Sequence, residues 1–249
     1  MLLVISPSKS MDFKHAASIT ENTNAMFQTE ADELMNQLKG YSSKEIMEKE
    51  KIGVKLALTA FEYIQTYFSE KPSPKPAIFA YSGTVFNKLQ ISSISEVHLS
   101  FLQDHVLIFS ALYGLLKPFD LIKPYRLDMN SNLVTELYPF WRKKVTEKII
   151  PLLEKENNLL INLASAEYFK MIDPKQLPKN TRVITPVFRQ EIKGKLSVNS
   201  LFAKQARGLM LRFIIENEIS DPEYLKAFDL EGYYFDTRLS STKEYAFTR

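Results

Sequence analysis

Short apolar runs, each bounded by polar or turn-forming residues, recur along this sequence and limit the folds open to it. Apolar runs of about four to eight residues are typical of strands buried on both faces, whereas buried helices need longer runs. Stretches with helical periodicity separate the runs, which indicates an α/β (α+β) fold with a mixed sheet and surrounding helices. We predict strands at residues 2–5, 77–80, 106–109, 159–163 and 183–188.

Helical periodicity is clearest at residues 24–39, 53–68, 136–157 and 203–217. Ser42 and Glu45 form a capping-box pattern that begins a further helix. Pro151 should kink or end the helix in which it lies, and residues 195–202 could supply a hairpin partner for strand 183–188.

The domain organisation follows from the same patterns. Only a short proline-rich segment at residues 71–76 interrupts the chain, and no repeat of solenoid length is present. We therefore predict a single domain over residues 1–249, within which residues 24–70 are a possible helical subdomain.

The composition excludes several kinds of chemistry. There are no cysteines, so thiol peroxidase chemistry, disulfides and iron–sulfur clusters are ruled out. The histidines, at positions 15, 98 and 105, have no metal-ligand spacing, and no phosphate-binding or dinucleotide-binding glycine motif is present. We expect neither a metal nor a cofactor. The apolar segment 1–6 is too short for a signal or membrane segment, so a cytoplasmic protein without membrane contact is expected.

Polar residues follow three of the predicted strands, where ligands gather in sheets of this kind. Ser6 and Lys9 follow the first strand, Tyr81 and Gly83 the second, and Ser165 and Glu167 the fourth. Together with Tyr113, which follows the third strand, they are candidate pocket residues. The alternative is that these residues are only caps and turns.

The segment "LKPFDLIKPYRLDM" at residues 116–129 repeats a Lys-Pro step. Each proline moves the preceding lysine out of the helical region and removes a backbone donor, so we predict a stiff loop. Such a loop could hold Lys117, Lys123 and Arg126 ready for an anion. Alternatively these residues only solvate the surface and pair with Asp120 and Asp128.

The helix at residues 203–217 has a basic stripe of Lys204, Arg207 and Arg212 opposite its apolar stripe. We expect the basic stripe to face solvent. Gly208 lies beside it, and close approach of a ligand or another backbone would explain a glycine there. The alternative is an ordinary solvated face.

A third basic element surrounds Gly53 and Lys55. The segment "IGVKLA" at residues 52–57 is similar to the turn and second helix of a helix-hairpin-helix element, in which backbone N–H groups contact a DNA phosphate. That motif usually has two glycines, and this segment has one.

Six blocks together, "ISPSKSMD", "YSGTVF", "SALYGLLKPFDLIKPYRLDM", "YPFW", "INLASAEYFK" and "KQARGLMLRFIIEN", resemble the bacterial YaaA family of peroxide-stress proteins. The resemblance implies protection from hydrogen peroxide, limitation of unincorporated iron, and DNA binding through a positively charged cleft with a helix-hairpin-helix element. At residues 85–89 the family usually has V-Y-x-G-L, whereas this chain has "VFNKL".

Three functional hypotheses follow. In the first, the protein binds double-stranded DNA and helps limit iron-driven oxidative damage to it, without an obligate protein partner; Gly53, Lys55, Lys117, Lys123, Arg126, Lys204, Arg207 and Arg212 are the candidate contacts. In the second, it is an enzyme acting on nucleotides or nucleic acids, with Lys9 as nucleophile or anion clamp, Glu167 as general acid or base and Arg126 as phosphate partner. In the third, it binds iron directly, for which the sequence offers little. The sequence leaves open whether the protein is an enzyme.

Overall fold

The structure is a computed structural model that describes residues 1–192 and 194–249. Its strands are β1 (Leu2–Ile5), β2 (Thr23–Asn24), β3 (Lys75–Pro76), β4 (Val106–Ser110), β5 (Gly114–Leu116), β6 (Asp120–Ile122), β7 (Leu159–Asn162), β8 (Arg182–Ile192), β9 (Lys195–Ser197), β10 (Tyr234–Phe235) and β11 (Glu244–Thr248). Its α-helices are α1 (Gln28–Leu38), α2 (Ser43–Glu50), α3 (Val54–Thr66), α4 (Ala77–Ala80), α5 (Thr84–Leu89), α6 (Leu99–His105), α7 (Leu137–Lys155), α8 (Ala166–Phe169) and α9 (Ser200–Glu216). The α/β single-domain prediction with a mixed sheet is confirmed.

Most strands of the described residues form one eight-stranded sheet in the order β10-β11-β8-β7-β1-β4-β5, with β9 paired to β8. The central pairs are parallel, and β5, β9 and β10 pair antiparallel at the margins. A smaller sheet has the order β2-β6-β3. The mixture explains the apolar runs, because parallel strands covered on both faces are apolar at every position.

The strand order creates a reversal point beside β1. The chain passes from β1 to β4 on one side and then crosses to β7 on the other, before continuing outward to β8 and β11. In open parallel sheets the loops on either side of such a reversal diverge and leave a crevice beyond the strand carboxyl ends. The crevice here lies after Ile5 and Asn162, the last residues of β1 and β7.

The helices at residues 28–66 share the core of the sheet. Buried Leu34, Met35, Ile46 and Ile64 belong to the same continuous apolar cluster as the strands. The predicted capping box is present, since the Glu45 N–H donates to Ser42 Oγ and the Ser42 N–H donates to the Glu45 carboxylate. The subdomain remains a prediction, because shared burial does not show how the helices would behave alone.

The predicted strand at residues 77–80 is wrong. Ala77–Ala80 form the short helix α4, closed by a bond from the Tyr81 N–H to the Ala77 carbonyl. The strand pairing in this region belongs to Lys75–Pro76, which pairs with β6. All four helical residues are buried, so the run is apolar throughout, and an apolar run of this length has no period that distinguishes helix from strand.

The Lys-Pro segment is only partly the predicted loop. Strands β5 and β6 lie within residues 114–122, and β6 is the middle strand of the smaller sheet. Buried Asp120 fixes the turn between them by accepting bonds from the Thr23 hydroxyl at 2.6 Å and the Lys117 N–H at 2.8 Å. The residues are therefore ordered by sheet pairing as well as by proline.

Two smaller predictions also differ from the structure. Helix α7 continues through Pro151 to Lys155, so of the two predicted effects of Pro151, a kink or an end, the end is wrong. The β8–β9 hairpin forms at Gln190–Ile192 and not at residues 183–188, because the earlier part of β8 already has β7 on one side and β11 on the other.

Gly114 permits the turn between β4 and β5. Its φ is +66°, and an added Cβ would lie 2.5 Å from Cζ3 of Trp141. The Trp141 indole is fully buried and donates to the Ala111 carbonyl at 2.8 Å, which fixes the ring against this turn. Both backbone conformation and packing therefore require glycine.

Gly114→Ala should lower the free energy of unfolding by about 2–4 kcal/mol, because overpacking costs about 1–3 kcal/mol and the left-handed conformation about 1 kcal/mol more. Urea denaturation measures the loss. Gly232→Ala is the control, since Gly232 has φ +76° but no atom within 4 Å of an added Cβ. Equal losses in the two variants would show that Trp141 does not limit the turn.

Candidate functional site

The loops that follow β1 and β7 are joined to each other. The Ser165 N–H donates to Ser6 Oγ at 2.8 Å, and the Leu163 N–H donates to the Val4 carbonyl at 2.9 Å. Ser165 Oγ in turn caps the short helix α8 by accepting from the Tyr168 N–H. These bonds set the two strand ends side by side, as the sequence analysis predicted for Ser6 and Ser165.

A cavity of about 470 Å³ opens at this point, and we refer to it as the larger cavity. It is bounded by the loop after β1, the start of α5, the loop after β7, and the first half of α9. The residues that line it are Ser6, Pro7, Ser8, Lys9, Ser10, Gly83, Thr84, Val85, Phe86, Asp128, Leu163, Ser165, Glu167, Tyr168, Lys204 and Arg207.

Two glycines allow the walls of the larger cavity to approach each other. A Cβ on Gly83 would overlap Ser8 Oγ, and a Cβ on Gly208 would overlap the Val85 carbonyl oxygen. Helices α5 and α9 are thus in backbone contact. The expectation that another backbone explains Gly208 is confirmed.

The expectation that the basic stripe of α9 faces solvent is confirmed for Lys204, which is exposed, and is wrong for Arg212, because the turn after α5 packs on that part of the helix. The Arg212 guanidinium donates to the Leu89 carbonyl at 3.0 Å and to Ser93 Oγ at 2.7 Å, and it pairs with Glu216 at 2.5 Å. Arg212 therefore joins α9 to the turn after α5, and a phosphate contact would require these bonds to break.

Arg207 lies one turn and a half before Arg212 in the same helix, and its surroundings are different. Its guanidinium makes no hydrogen bond or ion pair with any residue that the structure describes, and its Nε is buried without a partner. Burial lowers the pKa of Arg207. The neighbouring Lys204 is exposed and also lines the larger cavity.

A smaller cavity of about 220 Å³ adjoins the larger one. Lys9, Asp128 and Glu167 line both cavities and form the wall between them. The remaining residues that line the smaller cavity are Ile46, Glu50, Ile52, Ala60, Arg126, Leu127, Asn130, Asn132 and Leu133. The structure thus brings Arg126 to the same region as Lys9, as predicted.

The shared wall holds one ion pair and one carboxyl group without a pairing partner. Lys9 Nζ lies 2.6 Å from Asp128 Oδ2, although the Lys9 side chain is 67% exposed. Partial burial raises the pKa of Glu167, the negative charge of Asp128 raises it further, and Lys9, Lys170 and Lys204 oppose the shift. A carboxyl group with a raised pKa beside a lysine suits proton transfer.

Tyr81 and Tyr113 line neither of the two cavities. Both are buried, and Tyr125 lies between them: the Tyr81 and Tyr125 hydroxyls are 2.7 Å apart, and the Tyr125 hydroxyl is 2.8 Å from Ser110 Oγ. Tyr113 Oη accepts from the Lys123 N–H. Burial raises the pKa of Tyr125 to about 12, so this hydroxyl cluster is neutral and supports the fold.

Two of the other predicted cations lie away from the cavities. Lys123 Nζ donates to the Tyr67 carbonyl at 2.8 Å and the Ser69 carbonyl at 2.6 Å, at the end of α3. Lys117 holds the Asp120 turn through its N–H, and its side chain lines neither cavity. Of the three cations of the predicted anion loop, Arg126 alone lines one of the two cavities.

The turn between α2 and α3 borders the smaller cavity through Ile52. Gly53 begins α3 as its N-cap, with φ −68° and open space around an added Cβ, and Lys55 is exposed in the first turn. This φ value and the open space mean that position 53 does not require a glycine for steric reasons. Its part in a helix-hairpin-helix element remains a prediction.

A comparison with known protein families identifies the family of this chain. Residues 1–239 match the family described as "Peroxide stress protein YaaA". The chain belongs to the YaaA family. The matched range includes the residues of both cavities and all of the predicted site residues.

In this YaaA-family protein, the sequence analysis missed Asp128 as a site residue and treated it only as a partner for loop cations. Asp128 pairs with Lys9, which lies far away in sequence. One sequence feature could have indicated Asp128 as a site residue. It lies two positions after Arg126 in the same extended segment, and in extended backbone the side chains at i and i+2 point the same way. Tyr168 and Phe86 were also missed, because aromatic residues are usual in cores.

Each histidine of this YaaA-family protein has a polar partner within the protein. His15 contacts Asp12, His98 contacts Glu218, and His105 contacts the Phe101 carbonyl. Over residues 1–192 and 194–249, no three His, Asp or Glu side chains are grouped as metal ligands. Within the same residues, none of the helices combines the length and the apolar character that crossing a membrane requires.

Glu167→Gln should raise the melting temperature of this YaaA-family protein at pH 7. A raised folded-state pKa means that ionised Glu167 opposes folding at pH values above that pKa, and a neutral glutamine removes the penalty. The difference from wild type should shrink as the pH falls through the folded pKa and vanish below the unfolded value. Thermal melts from pH 4 to pH 8 measure it. A constant offset across this range would instead indicate altered packing.

Proposed function

We propose that this peroxide stress protein binds double-stranded DNA at the face that contains the two cavities. The observation that carries the proposal is the grouping of four cations from three distant parts of the chain around adjoining openings: Lys9, Arg126, Lys204 and Arg207. The structure brings these residues to one place, whereas in the sequence they are spread over almost 200 positions.

Three of the four cations carry a positive charge that no carboxylate among the described residues neutralises. Arg126, Lys204 and Arg207 form no ion pair with any carboxylate in the described part of the chain, while Lys9 is paired with Asp128. Unpaired cations on one face are the feature by which proteins attract the phosphate backbone, and most such contacts carry no sequence information. Exposed Lys55, beside the smaller cavity, extends the same face.

The proposal leaves out Lys117, Lys123 and Arg212. The Lys123 ammonium and the Arg212 guanidinium already satisfy backbone carbonyls. Breaking such bonds to reach a phosphate would leave partly buried acceptors unsatisfied, at a cost of about 1–3 kcal/mol each.

The second half of the proposal is that bound protein helps limit iron-driven oxidative damage to the DNA. Membership of the peroxide-stress family supports this part, since hydroxyl radicals formed by ferrous iron and peroxide react where they arise. Protein on the duplex would keep iron away from the phosphates to which it binds.

Binding to a short duplex across a range of salt concentrations tests the proposal. Replacing Arg126 and Lys204 together with glutamine should lower affinity about tenfold or more at low salt. It should also reduce the log–log salt slope by about 1.8, which is about 0.9 for each phosphate no longer neutralised. Fluorescence anisotropy of labelled duplex gives both quantities.

The matched control is Lys143→Gln with Lys155→Gln, which removes the same charge from exposed positions of α7 that line neither cavity. If the two double variants lose affinity equally, binding depends on total charge and the proposed face is incorrect. Plasmid nicking by ferrous iron and peroxide should be slowed by wild type and by the α7 variant, and less by the cavity variant.

A second candidate function is an enzyme that acts on nucleotides or nucleic acids. The raised pKa of Glu167 in the wall shared with Lys9 favours it, because simple duplex binding does not need a carboxyl group among the four cations. Glu167 would act as general acid or base, Arg126 would bind a phosphate, and Lys9 would clamp an anion or act as nucleophile after leaving Asp128.

If this activity exists, Lys9→Met and Glu167→Gln should each reduce turnover of a nucleic-acid substrate about a hundredfold or more, while duplex binding by Glu167→Gln is retained. Gel analysis of radiolabelled oligonucleotides measures turnover. If both variants turned over the substrate at the wild-type rate, neither Lys9 nor Glu167 would take part in the reaction.

A further inference from the structure

Arg207 differs from the other arginine on its helix in having no partner among the described residues. Arg212 is bonded to two backbone or hydroxyl acceptors and to Glu216. Arg207 has a buried Nε without a partner and no carboxylate paired to it among the described residues. A partly buried charge without a partner opposes folding, so it persists at a site where something else supplies the counter-charge.

The surroundings of Arg207 indicate the chemistry of that counter-charge. Arg207 and Lys204 stand on one wall of the larger cavity. A guanidinium binds the oxygens of a phosphate or carboxylate with two parallel hydrogen bonds, and a nearby ammonium adds a point charge. This wall is therefore suited to a dianionic group such as a phosphate.

The rest of the larger cavity suits an uncharged, partly aromatic body attached to that anion. Phe86, Tyr168 and Leu163 supply apolar surface, while the Ser6 and Ser165 hydroxyls and the Glu167 carboxyl supply hydrogen-bonding groups. Aromatic side chains stack on bases, and hydroxyl and carboxyl groups bind the edges of bases and sugars.

The size of the cavity agrees with one such body. At about 470 Å³ it lies in the range of pockets for small molecules, and it is far too narrow for a duplex. It opens beyond the strand ends at the reversal point beside β1, where parallel sheets bind nucleotides and similar ligands.

We infer that the larger cavity binds a single nucleotide unit, with its phosphate on Arg207 and Lys204 and its base against Phe86 and Tyr168. The inference deepens the proposed function, because a nucleotide can come from the bound DNA by extrusion from the stack or arrive as a free mononucleotide. In both cases a phosphate, a sugar and a base meet the same groups, although the phosphate is a monoanionic diester within DNA and a dianionic monoester in the free mononucleotide.

The experiment compares Arg207→Gln with Arg189→Gln. Arg189, on β8, also has a buried Nε without a partner, but it does not line the larger cavity. The probes are deoxyadenosine monophosphate, inorganic phosphate, an intact duplex and the same duplex with one unpaired nucleotide. Calorimetry measures the small ligands and anisotropy measures the duplexes.

Wild type and Arg189→Gln should bind the mononucleotide more tightly than inorganic phosphate, and Arg207→Gln should weaken mononucleotide binding about ten- to a hundredfold. In wild type, the duplex with the unpaired nucleotide should bind more tightly than the intact duplex, and in Arg207→Gln the ratio of the two affinities should fall to about one. Arg207→Gln should not lower the melting temperature without ligand, since it removes an unpaired buried charge. If it fails to fold, Lys204→Gln takes its place in the same assays.

The outcomes separate this inference from the proposed function. Mononucleotide binding without a preference for the unpaired nucleotide supports the free ligand, and the preference without mononucleotide binding supports an extruded nucleotide. If wild type does not bind duplex DNA but binds the mononucleotide in a way that depends on Arg207, only the proposed function is overturned. The inference is overturned if the Arg207 and Arg189 variants behave alike, or if wild type binds inorganic phosphate as tightly as the mononucleotide. It is also overturned if wild type shows neither mononucleotide binding nor a preference for the duplex with the unpaired nucleotide.

Discussion

The parallel pairing of β1 with β4 on one side and β7 on the other is the constraint on which the site depends. It places the loops after Ile5 and Asn162 at one edge of the sheet, where the chain reverses its direction of travel. The bond from the Ser165 N–H to Ser6 Oγ then fixes the two loops together. Without this pairing, Lys9 and Glu167 would have no reason to share a wall.

Close approach of α5 and α9 completes the larger cavity. Gly208 lets α9 meet the Val85 carbonyl, and Arg212 fixes the turn after α5 to the same helix. One arginine of α9 thus serves the fold, whereas Arg207 lines the cavity and has no partner among residues 1–192 and 194–249. The two arginines lie about 140° apart on a helical wheel, at opposite edges of the basic stripe. They have different roles because α5 and the turn after it contact only part of that stripe.

The smaller cavity connects this edge with the helices at residues 43–66. Ile46 and Ile52 line it from α2 and from the turn after α2, and Arg126 and Asp128 line it from the extended segment beyond β6. Lys9, Asp128 and Glu167 therefore stand between the nucleotide-sized opening and the surface that carries Lys55. In the proposed mode of binding, a phosphate backbone would lie along this face while a single nucleotide occupies the larger cavity.

The sequence by itself determined the fold class, the strands β1, β4, β7 and part of β8, the α2 capping box, the family and the grouping of Ser6, Lys9, Ser165 and Glu167. These depend on local patterns and on the rule that parallel strands end at one edge. Only the tertiary structure decided that residues 77–80 are helical, that Lys123 and Arg212 bond to backbone carbonyls, and that Asp128 pairs with Lys9. The physical reason is that the partner of a charged side chain is a neighbour in space from another part of the chain, and no local period encodes which neighbour that is.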